Sequence, residues 1–364
     1  MSPLARRLSG KRVVICAGAG GVGKTTVSAT VALGLAAQGR RVAVVTIDPA
    51  RRLAEALGLA ELGNQPQRVD PARFEGSGLA VDGELFAMML DVKRTFDELI
   101  ARLAPNPWTR EEILTNPIYG HLSAAVAGSQ EYTAIAKLFE IEREGDYEVI
   151  VLDTPPSRNA IDFLEAPERL IGFLEGRALK AFLRPTGGVI RAAGVVFAAL
   201  RRITGVGLLE DLTTFFGLVS GLLDGFRSRA ADVQALLTDL TTAFLVVTSP
   251  ERAPLDEAIF FAGELERAGM NRSAMIVNRV HPLDLGERDT ATTSARLTHT
   301  LGSPLAEKVA RTHAEIQRLA RRDQAALRRL RDALRDPDPI CLGDRETDVH
   351  NIRGLVDLHQ ELFI

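Results

Sequence analysis

The sequence predicts an α/β fold in which a mostly parallel sheet carries helices on both faces. Short, continuous apolar runs recur along the chain, and helix-forming stretches lie between them. A continuous apolar strand is typical of a parallel sheet, because both of its faces are buried. The alternation of such strands with helices is most economically explained by one sheet with helices on either side.

The first predicted unit is a strand, a helix and a second strand. Val13 to Ala17 reads VVICA and predicts a buried strand, and the Ala-rich stretch from Lys24 to Gln38 predicts a helix that Gly39 ends. A second buried strand, RVAVVTI, follows from Arg41 to Ile47. Four further strands are predicted at Leu85 to Leu90, Glu148 to Leu152, Phe244 to Thr248 and Ala274 to Asn278.

Two helical stretches do not fit a minimal sheet domain. They cover residues 91–140, where prolines interrupt the helices, and residues 166–237, where Pro185 and several glycines do so. Together they predict a helical subdomain inserted into a single domain that covers residues 1–364. The second stretch is unusually apolar, and either packed core helices or a groove for a client protein would explain it.

The charge balance gives no reason to expect a nucleic-acid partner. The 364 residues carry 44 Lys and Arg against 47 Asp and Glu, a formal net charge of −3, so no overall field attracts nucleic acid or an anionic membrane. One basic run, from Glu307 to Asp336, mixes Arg with Glu and Asp on a predicted helix. A solvated helix face is its simplest explanation, and a nucleic-acid patch is the alternative.

Cysteine content and hydropathy indicate a cytoplasmic protein without a membrane span. The two cysteines, Cys16 and Cys341, are far apart and have no Cys or His at ligand spacing, so neither a disulfide framework nor a zinc site is expected. No apolar stretch near the first residues is long enough for a signal peptide. The longest uncharged piece of the apolar stretch, Leu212 to Leu223, is too short to cross a bilayer.

A glycine-rich segment between the first strand and the first helix predicts a phosphate-binding loop. Residues 18–25 read GAGGVGKT and match G-x-x-x-x-G-K-[ST] in the strand-to-helix context that this motif needs. Its backbone N–H groups and the helix N-terminus would point at phosphate oxygens. Lys24 would reach the β- and γ-phosphates, and the Thr25 hydroxyl would ligate Mg²⁺. The alternative is a glycine turn with a purely structural use.

Three polar residues at strand ends fall where a nucleotide site needs them. Asp48 follows the second strand and would orient an attacking water, or else cap the next helix. Asp153, in VIVLDTPP, has the form of a Walker B carboxylate that holds Mg²⁺. Asn278 ends another apolar run, where its amide would read the adenine edge or serve as a turn residue.

These segments resemble the deviant-Walker-A ATPases of the arsenite-pump and guided-entry type, and the resemblance covers most of the chain. It depends on GAGGVGKTT (18–26), DPARRL (48–53), LDTPPSRNAIDFL (152–164) and VNR (277–279), and it is closest to a bacterial, actinobacterial-like branch. It implies a P-loop NTPase sheet, ATP and Mg²⁺ as cofactors, and a dimer, either of this chain alone or with a paralogue. It also implies a helical insertion that binds a client or partner protein.

The resemblance assigns roles to particular residues. Asp48 and Lys24 would be catalytic, Thr25 and Asp153 would hold the metal, and Asp153 would open a second switch segment. The nucleotide-binding residues would be Gly18, Ala19, Gly20, Gly21, Val22, Gly23, Lys24, Thr25, Thr26, Asn278 and Arg279.

The sequence also departs from this family in ways that bear on function. Ala19 occupies the position of the lysine that reaches across the dimer, so a cation for the transition state is missing there. Arg51, Arg52 and Arg158, inside the two switch segments, are candidates to replace it. The chain lacks the thiols of an arsenite site and the C-x-x-C zinc clamp of the guided-entry dimer, and with five Met residues it lacks a Met-rich client groove.

Two hypotheses about function follow. The first is a slow ATPase that works as a dimeric molecular switch and couples its nucleotide state to a protein or membrane-associated partner. The second is a nucleotide-binding scaffold or regulatory subunit that does not hydrolyse ATP. Ala19 favours the second hypothesis, whereas the intact set of Lys24, Thr25, Asp48 and Asp153 favours the first.

Overall fold

One sheet of eight strands organises the part of the chain that the structure describes. The computed structural model describes residues 1–48, 52–117, 119, 130–154, 211, 214–215, 217–283, 290–334, 338–345 and 347–364. The strands are β1 (Val13–Ala17), β2 (Arg41–Thr46), β3 (Gln67–Arg68), β4 (Glu84–Met89), β5 (Val149–Asp153), β6 (Thr242–Thr248), β7 (Arg272–Val280) and β8 (Ile340–Gly343).

The strand order is β3-β4-β2-β5-β1-β6-β7-β8, and every pair except β3–β4 is parallel. Parallel pairing brings the carboxyl ends of the central strands to one edge of the sheet. The register is explicit there, since Asp153 lies opposite both Cys16 of β1 and Thr46 of β2. This edge therefore collects the residues that follow β1, β2, β5, β6 and β7.

The predicted α/β class and all six predicted strands are confirmed, with bounds that differ by no more than two residues. Alternate residues of β1 pack into two different cores, because successive side chains point to opposite faces of the sheet. Val14 and Cys16 belong to one core, and Val13 and Ile15 belong to the other. Both faces of the central strand are thus buried, as its continuous apolar sequence predicts.

Helices cover both faces, as expected. One core contains residues of α1 (Pro3–Arg7), α2 (Lys24–Ala37), α3 (Arg52–Ala56) and the C-terminal helix α11 (Ile352–Phe363). The other contains residues of α6 (Gln130–Glu144), α7 (Leu223–Thr238), α8 (Arg252–Arg267) and the C-terminal half of α10 (Ser303–Leu334). Helix α9 (Thr290–Leu301) packs against α10 and has no buried residue of its own.

A third apolar cluster lies apart from both sheet faces. It joins α4 (Val92–Leu103), α5 (Pro107–Thr115) and α6 to the residues before α7, and Phe96 stacks on Tyr119 and Phe226 with ring centroids 6.3 and 6.4 Å apart. These helices lie within or beside the segments predicted as an insertion. Residues 166–210 lie outside the described parts of the chain, so the inserted subdomain as a unit stays a prediction.

Two edge strands and both terminal helices have no counterpart among the predicted elements. β3 has two residues, both exposed, and β8 has four, so neither shows the continuous apolar run of a central strand. α1 and α11 pack in the same core as α2, on one face of the sheet. In the described parts of the chain, no helix combines the length and apolar character needed to cross a bilayer.

Candidate functional site

The glycine-rich loop has the backbone conformation that its sequence predicts. Gly18, Gly21 and Gly23 all have positive φ angles, of 153°, 78° and 94°, which favour glycine. A Cβ atom at Gly18 would overlap the carbonyl oxygen of Val247 in β6, and one at Gly23 would overlap the amide of Asn278 in β7. The loop therefore connects β1 to α2 and packs closely against β6 and β7.

Lys24 is the first residue of α2, and its side chain lies inside the site. Only 6% of the residue is exposed, and its ammonium donates a hydrogen bond of 2.8 Å to the carbonyl oxygen of Ala19. Burial lowers the pKa of Lys24, and the charges of Asp153 and Asp48 oppose that shift. A phosphate would restore the interactions that burial removes from this cation.

Asp153 ends β5 and is the centre of the polar network beneath the loop. Its Oδ2 accepts hydrogen bonds from the hydroxyls of Thr25, at 2.7 Å, and Thr46, at 2.9 Å. The Ser28 hydroxyl lies 3.3 Å from Oδ1. Burial raises the pKa of Asp153 to about 6, although the hydrogen bonds from Thr25 and Thr46 and the charge of Lys24 lower it. The carboxylate is therefore desolvated and held in place before any ligand arrives.

Asp48 stands beside these two groups at the end of β2. It is half-buried, its backbone N–H donates to the Thr46 hydroxyl at 3.2 Å, and its charge acts on the pKa of both Lys24 and Asp153. The structure thus brings Asp48 to the carboxyl edge of the sheet near Lys24 and Asp153, and its role toward the phosphates stays a prediction. The alternative role as a helix cap depends on residues 49–51, which are not among those described.

Asn278 and Arg279 lie near the end of β7, on the other side of the loop. The Asn278 amide donates to the carbonyl oxygen of Val22 at 2.9 Å, and its Oδ1 accepts from the Arg279 backbone N–H at 3.0 Å. Arg279 has a φ angle of +63°, an uncommon conformation for a residue with a side chain. Asn278, the predicted base-reading residue, is therefore in direct contact with the loop.

The remaining predicted site residues differ in exposure, and two of them are not among the described residues. Gly20 and Gly21 are exposed, Thr26 is half-buried in the first turn of α2, and Ala19 is nearly buried at 9% exposed. Arg52 is exposed as the first residue of α3. Arg51 and Arg158 fall in segments that the structure does not describe, so only one of the three candidate replacement cations has a known position.

Two hydroxyl residues of the Asp153 network were not predicted from the sequence. Thr46 precedes the switch segment by two residues, and Ser28 lies one helical turn beyond Lys24. A hydroxyl residue at the last position of a buried strand is the only signal that the sequence offers for Thr46. Cys16 of β1 is completely buried, and this burial raises the pKa of its thiol to about 12.

The fold and the site define this chain as a P-loop nucleotide-binding protein, because the loop, its lysine, its threonine and a carboxylate at a neighbouring strand end are brought together. The chain belongs to the anion-transporting ATPase family, whose sequence model matches residues 11–299. It is therefore a member of a family of ATPases, which confirms the resemblance stated from its motifs. The actinobacterial-like branch stays a prediction.

Curated relatives are similar over most of the chain. A putative arsenical pump-driving ATPase 1 of Aquifex aeolicus is 26% identical over 286 residues, which cover 76% of this chain and 65% of that protein. An ATPase GET3 of Malassezia globosa is 27% identical over 73% of this chain and 72% of its own length. An ATPase ARSA2 of Chlamydomonas reinhardtii is 27% identical, over 73% and 67%. The chain thus spans about two thirds of the length of these relatives.

The donor set of the site fits the Mg²⁺ that such a family implies. The Thr25 hydroxyl and the Asp153 carboxylate are hard oxygen ligands, and Mg²⁺ in phosphate sites commonly takes one or two protein oxygens besides phosphate and water. The hydrogen bond between these two groups shows that both point to the same place beneath the loop. Thr25 and Asp153 are therefore the residues that would hold the ion.

Proposed function

We propose that this protein binds and hydrolyses ATP and works as a dimeric switch that couples its nucleotide state to a partner. The observation that carries the proposal is the network around Asp153, which joins the first turn of α2 to the ends of β2 and β5. Such a network ties the phosphate-binding loop to both predicted switch segments. A purely structural glycine turn would not require a buried lysine and a desolvated carboxylate beside it.

Different residues of the site would bind the phosphates, hold the metal ion and orient the attacking water. The backbone of the loop and the Lys24 ammonium would bind the β- and γ-phosphates, and Asp48 would orient the attacking water. Thr25 and Asp153 would hold Mg²⁺, which would supply positive charge against the negative charge that develops during transfer. Asp48 would matter more for turnover than for binding, because it acts on the water rather than on the bound nucleotide.

Ion pairs between the helices next to β5 support the proposed switch. Strand β5, which ends at Asp153, is preceded by α6, and Glu140 of α6 is only 4% exposed. Its carboxylate pairs with Arg102 of α4 at 2.9 Å and with Arg229 of α7 at 2.7 Å. One carboxylate thus joins three helices of the third apolar cluster, and one of them, α6, leads directly into the strand that carries Asp153. These helices are the proposed location of the partner-binding subdomain.

The dimer and its partner are supported by the resemblance to a dimeric ATPase family, and we place the protein in the cytoplasm on the same basis. The other subunit of the dimer would be a second copy of this chain or a paralogue. A client protein would bind the helical subdomain, and nucleic acid would not be a partner.

A second candidate function is favoured by one residue. Ala19 has neither charge nor reach toward a partner's nucleotide, and it is nearly buried in the same core as α2. If no other residue supplies the missing cation, the protein would bind ATP without hydrolysing it and would serve as a scaffold or regulator of an active paralogue.

The deciding experiment is ATP turnover by the purified full chain, alone and with candidate paralogues, combined with sedimentation in ADP and in ATP. Turnover together with a nucleotide-dependent change in assembly would support the switch. Tight ATP binding without turnover in any assembly would support the scaffold instead, and absence of ATP binding would overturn both.

A further inference from the structure

The strand that carries Asn278 contains an extra residue at that point. Strand β7 pairs Val277 with Cys341 and Val280 with Gly343 of β8, so three steps along β7 match two along β8. This is a β-bulge, a feature that locally bends a strand and redirects a side chain. The left-handed Arg279 lies inside it. The bulge therefore sets the direction in which Asn278 meets the phosphate-binding loop.

The residue that follows the bulge is held by a buried carboxylate from a distant helix. The backbone N–H of His281 donates to Asp323 Oδ2 at 3.0 Å, and the ring nitrogen Nδ1 lies 2.7 Å from the same oxygen. Because a carboxylate oxygen accepts, Nδ1 carries the hydrogen in this contact. Asp323 fixes both the backbone and the side chain of His281.

Asp323 is a charged residue on the buried, otherwise apolar face of α10. Its side chain is completely buried, and its neighbours one turn either side on the same face, Ala320 and Leu327, pack beneath it at 0 and 2% exposed. The guanidinium of Arg322 donates to its other oxygen at 3.0 and 3.2 Å. A carboxylate in such a position is costly unless it is fully paired, so packing alone does not explain it.

The end of β7 is also held by the segment that follows β8. The backbone N–H of Asp344, just after β8, donates to the carbonyl oxygen of Val280 at 2.9 Å, and its carboxylate lies 3.7 Å from His281 Nε2. The end of β7 is thus clamped between α10 and the segment after β8. The clamp leaves the strained bulge little freedom to relax.

We propose that Asp323 and His281 are positioning residues for the base end of the bound nucleotide. They fix the bulge in β7, and the bulge aims the Asn278 amide at the site beside Val22 and Gly23. This inference rests on the proposed function, because it needs a nucleotide in the loop. It adds a part of the site that lies in α10, far along the chain from every motif.

Loss of the Asp323 carboxylate would leave two His281 hydrogen-bond donors without their acceptor, and the end of β7 would relax. The affected contact is with the nucleoside and not with the phosphates. Affinity for ADP should therefore fall about 5- to 20-fold, as expected for a contact of ordinary hydrogen-bond strength. Affinity for inorganic pyrophosphate, which has no nucleoside, should stay within about twofold of that of the unaltered protein.

The test is calorimetric binding of ADP and of pyrophosphate to the full chain and to Asp323→Ala, which removes both acceptor oxygens. Asp332→Ala, at an exposed aspartate on the same helix, is the matched control and should bind both ligands normally. Asn278→Ala should show the same selective loss as Asp323→Ala. The double variant should be no weaker for ADP than Asn278→Ala alone, because both changes remove one contact.

Several results would overturn the inference. They are unchanged ADP affinity in Asp323→Ala, an equal loss for ADP and pyrophosphate, or additive losses in the double variant. His281→Phe removes the ring donor while Asp323 is kept, so it gives the same test if Asp323→Ala does not fold. Failure of the unaltered protein to bind either ligand would overturn the proposed function itself, which separates the two outcomes.

Discussion

Thr25 donates its hydroxyl hydrogen to Asp153 at 2.7 Å, although 128 positions separate the two residues in the chain. The contact joins the helix that follows the phosphate-binding loop to the strand that carries the proposed metal ligand. It also means that the two proposed Mg²⁺ ligands are already adjacent when the site is built.

Replacing Asp153 with Asn should selectively reduce the contribution of Mg²⁺ to nucleotide binding. The amide keeps the size of the side chain and one acceptor oxygen, but it loses the charge that a divalent ion needs. The ratio of ADP affinities with and without Mg²⁺ should fall at least about tenfold. Asp146→Asn, at an exposed position before the same strand, is the control. An unchanged ratio in Asp153→Asn would exclude Asp153 as the ligand.

Lys24→Ala should abolish tight ATP binding, because Lys24 is the cation that the loop directs toward the phosphates. Calorimetry with ATP measures this directly, and Lys308→Ala on the exposed surface of α10 should bind as the unaltered protein does. Equal affinity in Lys24→Ala would mean that the loop does not hold phosphate in the proposed way.

Asp48→Asn should leave ATP binding nearly intact and lower turnover at least about tenfold, since its carboxylate acts on the attacking water in the transition state. Single-turnover kinetics at saturating ATP separate the two effects. Asp82→Asn, exposed before β4, serves as the comparison. If Asp48→Asn turns over ATP normally, the capping role becomes the better explanation of this residue.

The three arginines of the switch segments, Arg51, Arg52 and Arg158, should differ clearly from one another when each is changed to Ala. Removal of a cation that stabilises the transferring phosphate costs several powers of ten in rate and much less in binding. We expect one variant to show that loss. Normal turnover in all three would reject a replacement cation in these segments, and Ala19→Lys would then test whether the missing charge alone limits the rate.

Acid should destabilise the docking of α11 through His359. This residue is 6% exposed and stacks on Phe363 with centroids 5.2 Å apart, and burial lowers its pKa from 6.5. Between pH 7.5 and 5.5 the unfolded chain gains a proton that the folded chain resists, so the free energy of unfolding should fall by up to about 1 kcal/mol. Denaturant titrations should show a smaller fall in His359→Leu. The exposed His350→Leu should behave as the unaltered protein, and equal pH dependence in all three would contradict the prediction.

The sequence predicted Lys24, Thr25 and Asp153 because fixed spacing and strand ends determine where such residues lie. It did not predict Thr46 or Ser28, since hydroxyl residues are common and their partner is 107 and 125 positions away. The contact between His281 and Asp323 spans 42 positions and joins a turn to a helix that looked like a solvated surface. Contacts of this kind arise from tertiary packing, and no local pattern in the chain signals them.

The close approach of Gly18 to the Val247 carbonyl fixes one side of the site. Because the loop has no space to shift toward β6, it forms a rigid seat whose shape is already set before the nucleotide arrives. In the proposed switch, a difference between the ATP and ADP forms would therefore arise outside the loop, at the strand ends that carry Asp48 and Asp153. These two carboxylates would respond to a phosphate whose position the loop has already fixed.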